Sequence, residues 1–146
     1  MERKDSLKGN YVIDSSVIIK WFSKEEHTDL ALKIRENFVY GNIDIVVPDL
    51  QLYEIANALR HNKNLGKSEV DNAVKSLIEI GIRIVVPTKA VMRTAINIAY
   101  DNDLTVYDAY FIALAKELGF IFITADVKLY KKINKLTFVK LLKDIK

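Results

Sequence analysis

Five apolar, β-branched stretches, Tyr11–Ile13, Ile43–Val47, Ile82–Val86, Phe120–Thr124 and Thr137–Leu141, recur along the chain, and segments of helical periodicity separate them. That alternation predicts a parallel sheet, because parallel neighbours need a crossover long enough to hold a helix. The first two stretches are apolar almost throughout, with Asp44 the one charged interruption, as strands are when helices cover both faces of their sheet. The expectation is α/β: a three-layer α/β/α fold around a central, mostly parallel sheet. With 146 residues and no internal repeat, low-complexity tract or Pro/Gly/Ser-rich linker, the chain reads as one domain over residues 1–146, of which 1–9 form a flexible N-terminal segment.

The helices carry local punctuation. Ser68 with Asp71 three residues on marks one start, Gly81 marks its end, and Thr88 starts the next. Leu30, Ile34 and Phe38 form an apolar stripe. Tyr107–Leu118 is apolar on nearly every side until Lys116 and Glu117, with Gly119 as its stop, so this helix should be deeply packed. Tyr100–Val106 reads as the loop before it.

Composition removes several chemistries. Without cysteine there are no disulfides, thiolate metal sites or cysteine nucleophiles. The opening MERKDSLKGN lacks the apolar core of a secretory signal, and no later apolar run approaches a membrane span, so a cytoplasmic, non-membrane protein is expected. A net charge of +3 permits a polyanionic partner without demanding one.

Most of the 19 acidic residues sit in polar stretches or on solvent faces, among them Glu25, Glu26, Asp71, Glu79 and Glu117. Four do not. Asp14 follows Tyr11-Val12-Ile13, at the carboxyl end of the first strand, where open α/β sheets bind ligands; the alternative is a helix N-cap. Glu54 lies in LQLYEIANAL, where its helical neighbours Leu50, Gln51, Asn57 and Ala58 offer no cation, so it either reaches solvent or meets something positive from elsewhere. Asp108 opens the most apolar helix, again with no base nearby, and Asp126 follows the fourth strand; capping is the competing role for both. Asp49, after Pro48, is assigned to capping. If the strand order reverses beside the first strand, the loops after strands one and four face each other and bring Asp14 towards Asp126. Carboxylates that close repel unless a divalent cation lies between them. Hard oxygen donors, with only His27 and His61 as nitrogen donors, point to magnesium or manganese rather than zinc.

The segments VIDSSVIIKWF, PDLQLYEIANALR, LTVYDAYFIALAKELG and FITADVKLY, in this order and at domain-wide spacing, resemble the PIN-domain nucleases, in particular the VapC-type toxins of toxin–antitoxin pairs. The resemblance extends from about Tyr11 to the end of the chain. It implies that Asp14, Glu54, Asp108 and Asp126 form an acidic site for Mg2+ or Mn2+, with Thr124 and Ser16 as supporting hydroxyls and Asn57 at an often polar position. It also implies an endoribonuclease that leaves 5′-phosphate and 3′-hydroxyl ends, a homodimer, and an antitoxin that lays a C-terminal segment across the active-site groove.

RNA contacts are expected from Lys20, Arg60, Lys63 and Lys128, acting together on the backbone. Trp21 and Phe22 could stack on bases but end an apolar stripe, which favours core or dimer packing. Two other classes compete: a non-catalytic RNA- or protein-binding module on the same fold, and a phosphorylatable receiver-like domain. The latter needs an acid after a middle strand, and IRIVVPTKA has none.

Overall fold

The computed structural model describes residues 7–145. Residues 1–6 of the expected flexible segment lie outside these; of the remainder, the Leu7 N–H donates to Asn37 Oδ1 at 3.0 Å and Gly9 already opens the first strand. In chain order the elements are β1 (Gly9–Ile13), α1 (Ser15–Ile18), a 3-10 turn (Ile19–Trp21), α2 (Thr28–Val39), β2 (Ile43–Pro48), α3 (Leu50–Arg60), α4 (Lys67–Glu79), β3 (Arg83–Val85), α5 (Lys89–Asn102), α6 (Val106–Leu118), β4 (Ile121–Thr124), α7 (Val127–Ile133), β5 (Val139–Leu141) and a final 3-10 turn (Leu142–Asp144).

The strands form one sheet in the order β3-β2-β1-β4-β5, every neighbouring pair parallel. The chain steps outward from β1 to β3, then returns to the far side of β1 and steps outward again. Right-handed crossovers put the helices of the two halves on opposite faces. The alternation of side chains along the strands shows the result. Tyr11, Ile13, Ile45, Val47 and Ile123 pack with Ala31, Ile34, Ile55, Leu59 and Leu77 of α2, α3 and α4. Val12, Val46, Phe122 and Val139 pack with Ala95, Ile98, Phe111, Leu129 and Ile133 of α5, α6 and α7. Burial on both faces explains the apolar runs at residues 11–13 of β1 and 45–47 of β2. Both edge strands are three residues long and carry a cation, Arg83 in β3 and Lys140 in β5.

Helix α6 is the deepest, with Ala109 to Ala115 all buried, because it lies between the sheet and α5. Trp21 belongs to the core, its indole N–H donating to Ala31 O at 2.8 Å. Among the described residues no helix is long and apolar enough to cross a membrane.

Local punctuation differs from expectation in three places. The loop read as Tyr100–Val106 shrinks to Asp103–Thr105, since α5 runs on to Asn102. Asp103 ends it in the left-handed conformation (φ 54°), and Leu104 N–H closes back onto Ala99 O at 3.0 Å. Helix α4 starts at Lys67 rather than Ser68, with Glu69 Oε1 accepting the Gly66 N–H at 3.1 Å in place of the Ser68–Asp71 pair. Asp49 occupies the N-cap position of α3 without a side-chain cap bond: its backbone is already helical (φ −59°, ψ −24°), whereas a capping residue is extended.

Phe122 is fully buried between the two halves of the second core. Phe122→Ala should therefore cost about 3–5 kcal/mol, read as a fall in the urea midpoint followed by circular dichroism.

Candidate active site

β1 ends where the strand order reverses. The Asp14 N–H donates to Ile123 O of β4 at 2.9 Å, which seats Asp14 at the crevice between the two halves. Asp14 occupies the N-cap position of α1, yet its side chain makes no cap bond. Instead Oδ2 accepts from Ser16 Oγ and Thr124 Oγ1, each at 2.7 Å. Those hydroxyls in turn accept the Ala125 and Asp126 N–H groups at 2.9 and 3.0 Å. With both hydroxyl protons committed to Oδ2, their mutual contact of 3.3 Å is a side-by-side approach. The capping alternative for Asp14 is thus replaced by a carboxylate held from behind.

Three other acids reach the same place from other elements. Glu54, half-buried on α3, accepts from Ser15 Oγ at 2.7 Å. Asp108 sits in the first turn of α6, but Thr105 is the cap there, its Oγ1 accepting the Asp108 N–H at 3.1 Å. Asp126 does cap α7, accepting the Leu129 N–H at 3.1 Å, and also borders the site. Asp14, Glu54, Asp108 and Asp126 line one cavity of about 250 Å³ together with Ser15 and Ser16.

Among the described residues no lysine or arginine lines that cavity. Burial pushes the Asp14 carboxyl above the ordinary carboxylate range, with Asp108 and Asp126 adding to the rise and the Ser16 and Thr124 hydroxyls opposing it. Burial likewise raises Glu54, whose Ser15 bond opposes the rise while Asp14 and Asp108 add to it. Asp108 is raised by burial and by Asp126, against the pull of Thr105 and Lys132. Carboxylate and hydroxyl oxygens with no cysteine, and with both histidines elsewhere, are the donor chemistry of a hard divalent cation. Among the described residues no group of three or more acidic or histidine side chains stands preformed to hold a metal ion. The four acids share the lining of one cavity.

Other sequence candidates lie apart. Asn57 and Arg60 line a separate groove between α3 and α4, which Glu54 does not line. Lys20, expected as an RNA contact, is buried, because the 3-10 turn carries it back towards Glu25, whose Oε1 lies 3.3 Å from its Nζ. Lys63 and Lys128 are exposed outside the cavity. Two residues not singled out from sequence belong here: Ser15, which holds Glu54, and Gln51, which is 0% exposed and donates to Ile13 O at 2.6 Å. Gln51 precedes Glu54 by three positions and so shares its helix face, a spacing legible in the sequence.

The sequence matches the PIN domain family over residues 11–135. Ribonuclease VapC3 of Pyrobaculum aerophilum is 32% identical over 125 residues, covering 83% of this chain and 92% of that protein. Exonuclease VapC9 of the same organism is 25% identical over 122 residues, covering 84% of each. Among solved structures, a toxin-antitoxin complex from Klebsiella pneumoniae matches with a TM-score of 0.68 at 13% identity, covering 90% of this chain and 97% of that chain, a likeness of fold.

Raised carboxyl pKa values have a defined consequence for the metal-free protein. Each such group stabilises the fold fully below its unfolded pKa, and that contribution is lost as pH rises through the higher folded value. In chelator, therefore, Asp14, Glu54 and Asp108 should pull the melting temperature down as pH rises from about 5 towards neutrality. Asp14→Asn keeps an acceptor for both hydroxyls while removing the charge. At neutral pH in EDTA it should melt about 2–4 °C above wild type, with a flatter pH dependence. A lower melting temperature for Asp14→Asn at every pH would show that the charge is not under strain.

Proposed function

The chain belongs to the PIN domain family, and on that footing we propose that it is a metal-dependent endoribonuclease, the toxin of a toxin–antitoxin pair. The observation that carries this reading is the convergence of four carboxylates, from the end of β1, α3, α6 and the start of α7, on one cavity that no basic side chain among the described residues lines. The 32% identical relative named Ribonuclease VapC3 supports RNA as the substrate.

Asp14, Glu54, Asp108 and Asp126 are the residues that would hold Mg2+ or Mn2+. Bound there, a divalent cation neutralises charge at the phosphodiester and lowers the pKa of the attacking water. The protein's part is positional. Thr124 and Ser16 hold Asp14 by one oxygen, and among the described residues no donor is placed on the other. Ser15 sets the rotamer of Glu54. With both histidines away from the cavity, a carboxylate of the site would have to orient or deprotonate the water that attacks phosphorus. Of the surface cations, Arg60, Lys63 and Lys128 are free to track the RNA backbone, whereas Lys20 is paired with Glu25.

The protein acts as one domain in the cytoplasm, with an antitoxin and a second copy as partners. The likeness to a structure described as a toxin-antitoxin complex supports the first. An apolar hollow lined by Pro48, Tyr53, Met92, Val106 and Tyr107, two of them largely exposed tyrosines, supports the second.

Magnesium or manganese should support cleavage of single-stranded RNA, and EDTA should abolish it; undiminished cleavage in chelator by a preparation free of contaminating nuclease would remove the metal mechanism. A circular RNA separates internal cleavage from the end-dependent action that the name of the 25% identical relative describes, since only an endonuclease opens it. No cleavage of either substrate would favour a binding module. Glu54→Gln retains an acceptor for Ser15 and should stay folded while losing about a hundredfold or more in turnover; near-wild-type rates would return Glu54 to an ordinary surface role.

A further inference from the structure

Gln51 is fully buried, an unfavourable place for an amide that is only half satisfied. Its Nε2 donates to Ile13 O at 2.6 Å, while its Oε1 has no partner among the described residues. A methionine would fill the same space with no orphaned acceptor of its own, so the donor half must compensate for what the acceptor half costs. The compensation is geometric. Ile13 O and Asp14 N are the two ends of a single peptide unit, the one that delivers Asp14 to the cavity. Its N–H is fixed by Ile123 O of β4 at 2.9 Å and its carbonyl by Gln51 of α3. The unit is therefore clamped from both sides and cannot rotate to carry the Asp14 side chain with it.

The clamp also joins the two elements whose acids must act together. Glu54 stands three residues beyond Gln51 on the same helix, so the bond to Ile13 O ties the Glu54-bearing helix to the Asp14-bearing strand. The bond from Ser15 Oγ, at the start of α1, to Glu54 Oε1 uses an oxygen that a ligand in the cavity would also need. The Gln51 bond uses neither carboxylate and persists when both are engaged. We propose that Gln51 is a positioning residue of the acidic site, setting the spacing of Asp14 and Glu54 through the last peptide of β1. This rests on the reading of the cavity as a divalent-metal site.

The test measures Mn2+ binding to the full chain, stripped of metal, by the loss of the free-ion paramagnetic resonance signal, alongside thermal melts in chelator. Gln51→Met removes the unpaired acceptor and also leaves Ile13 O unpaired, opposing effects that should keep the melting temperature within about 4 °C of wild type. Its Mn2+ affinity should nevertheless fall about 10- to 100-fold, the scale seen when a group that orients a ligand is removed. Gln51→His, which keeps an N–H near the position of Nε2, should recover most of that loss, which a purely space-filling role does not predict. Wild-type affinity in Gln51→Met, or a folded Gln51→His that binds as weakly as Gln51→Met, overturns the proposal. Should Gln51→Met melt too low to titrate, Gln51→His decides alone: affinity near wild type supports the clamp, and a tenfold loss in the folded variant overturns it. Absence of Mn2+ binding by wild type would overturn the metal reading itself, a result distinct from unequal binding among the variants.

Discussion

The hydrogen bond from Asp14 N–H to Ile123 O marks the line on which the molecule is organised, because there β1 and β4 meet although more than a hundred residues separate them. A chain that winds outward in one direction from β1 and then in the other must leave a crevice between its two halves, and loops from both halves open into it. The acidic site needs no device of its own beyond that reversal. Asp14 comes from one half and Asp126 from the other, with Glu54 and Asp108 leaning in from the first helix face on either side.

Gathering carboxylates in this way works against folding. Asp14, Glu54 and Asp108 each lose hydration, and each is raised above the usual carboxylate range chiefly for that reason. The surroundings answer mainly with hydroxyls: Ser16 and Thr124 donate to Asp14 and Ser15 to Glu54, while Asp108 is drawn down by Thr105 and by Lys132, which does not line the cavity. A neutral donor steadies a carboxylate without cancelling its charge, so the cavity stays negative and open to a positive ligand. An arginine in the same place would have given a more stable domain and a site already satisfied.

How much of this the sequence discloses depends on the range of the physics. The strands are legible because burial on both faces leaves near-continuous apolar runs; Glu54 and Asp108 are legible because each stands in an apolar helix without a neighbouring base, and Asp14 and Asp126 because each follows a strand. Helix ends are less so: Ser68, Asp49 and Asp108 are all plausible caps, and the choice of Gly66, of no side chain, and of Thr105 turns on backbone angles that neighbouring elements impose. Lys20 and Asn57 carry the right chemistry, but a 3-10 turn folds Lys20 back onto Glu25, and Asn57, though one turn from Glu54, lines the groove against α4. Gln51 and Ser15 were visible as residue types. Their partners, 38 and 39 positions away, become neighbours only once the sheet is assembled.

The outer strands, each three residues long with a cation, bear on behaviour outside the single molecule. An unpaired strand edge is a template on which another chain can add, and length and flatness decide how good a template it is. β3 and β5 present too few free backbone groups for a neighbour to register against, and Arg83 and Lys140 would have to be desolvated for it to dock. The longer and most apolar strands, β1 and β2, are shielded on both sides by other strands. A chain this rich in buried aliphatic residues thus ends its sheet where fibrillar growth has little to start from.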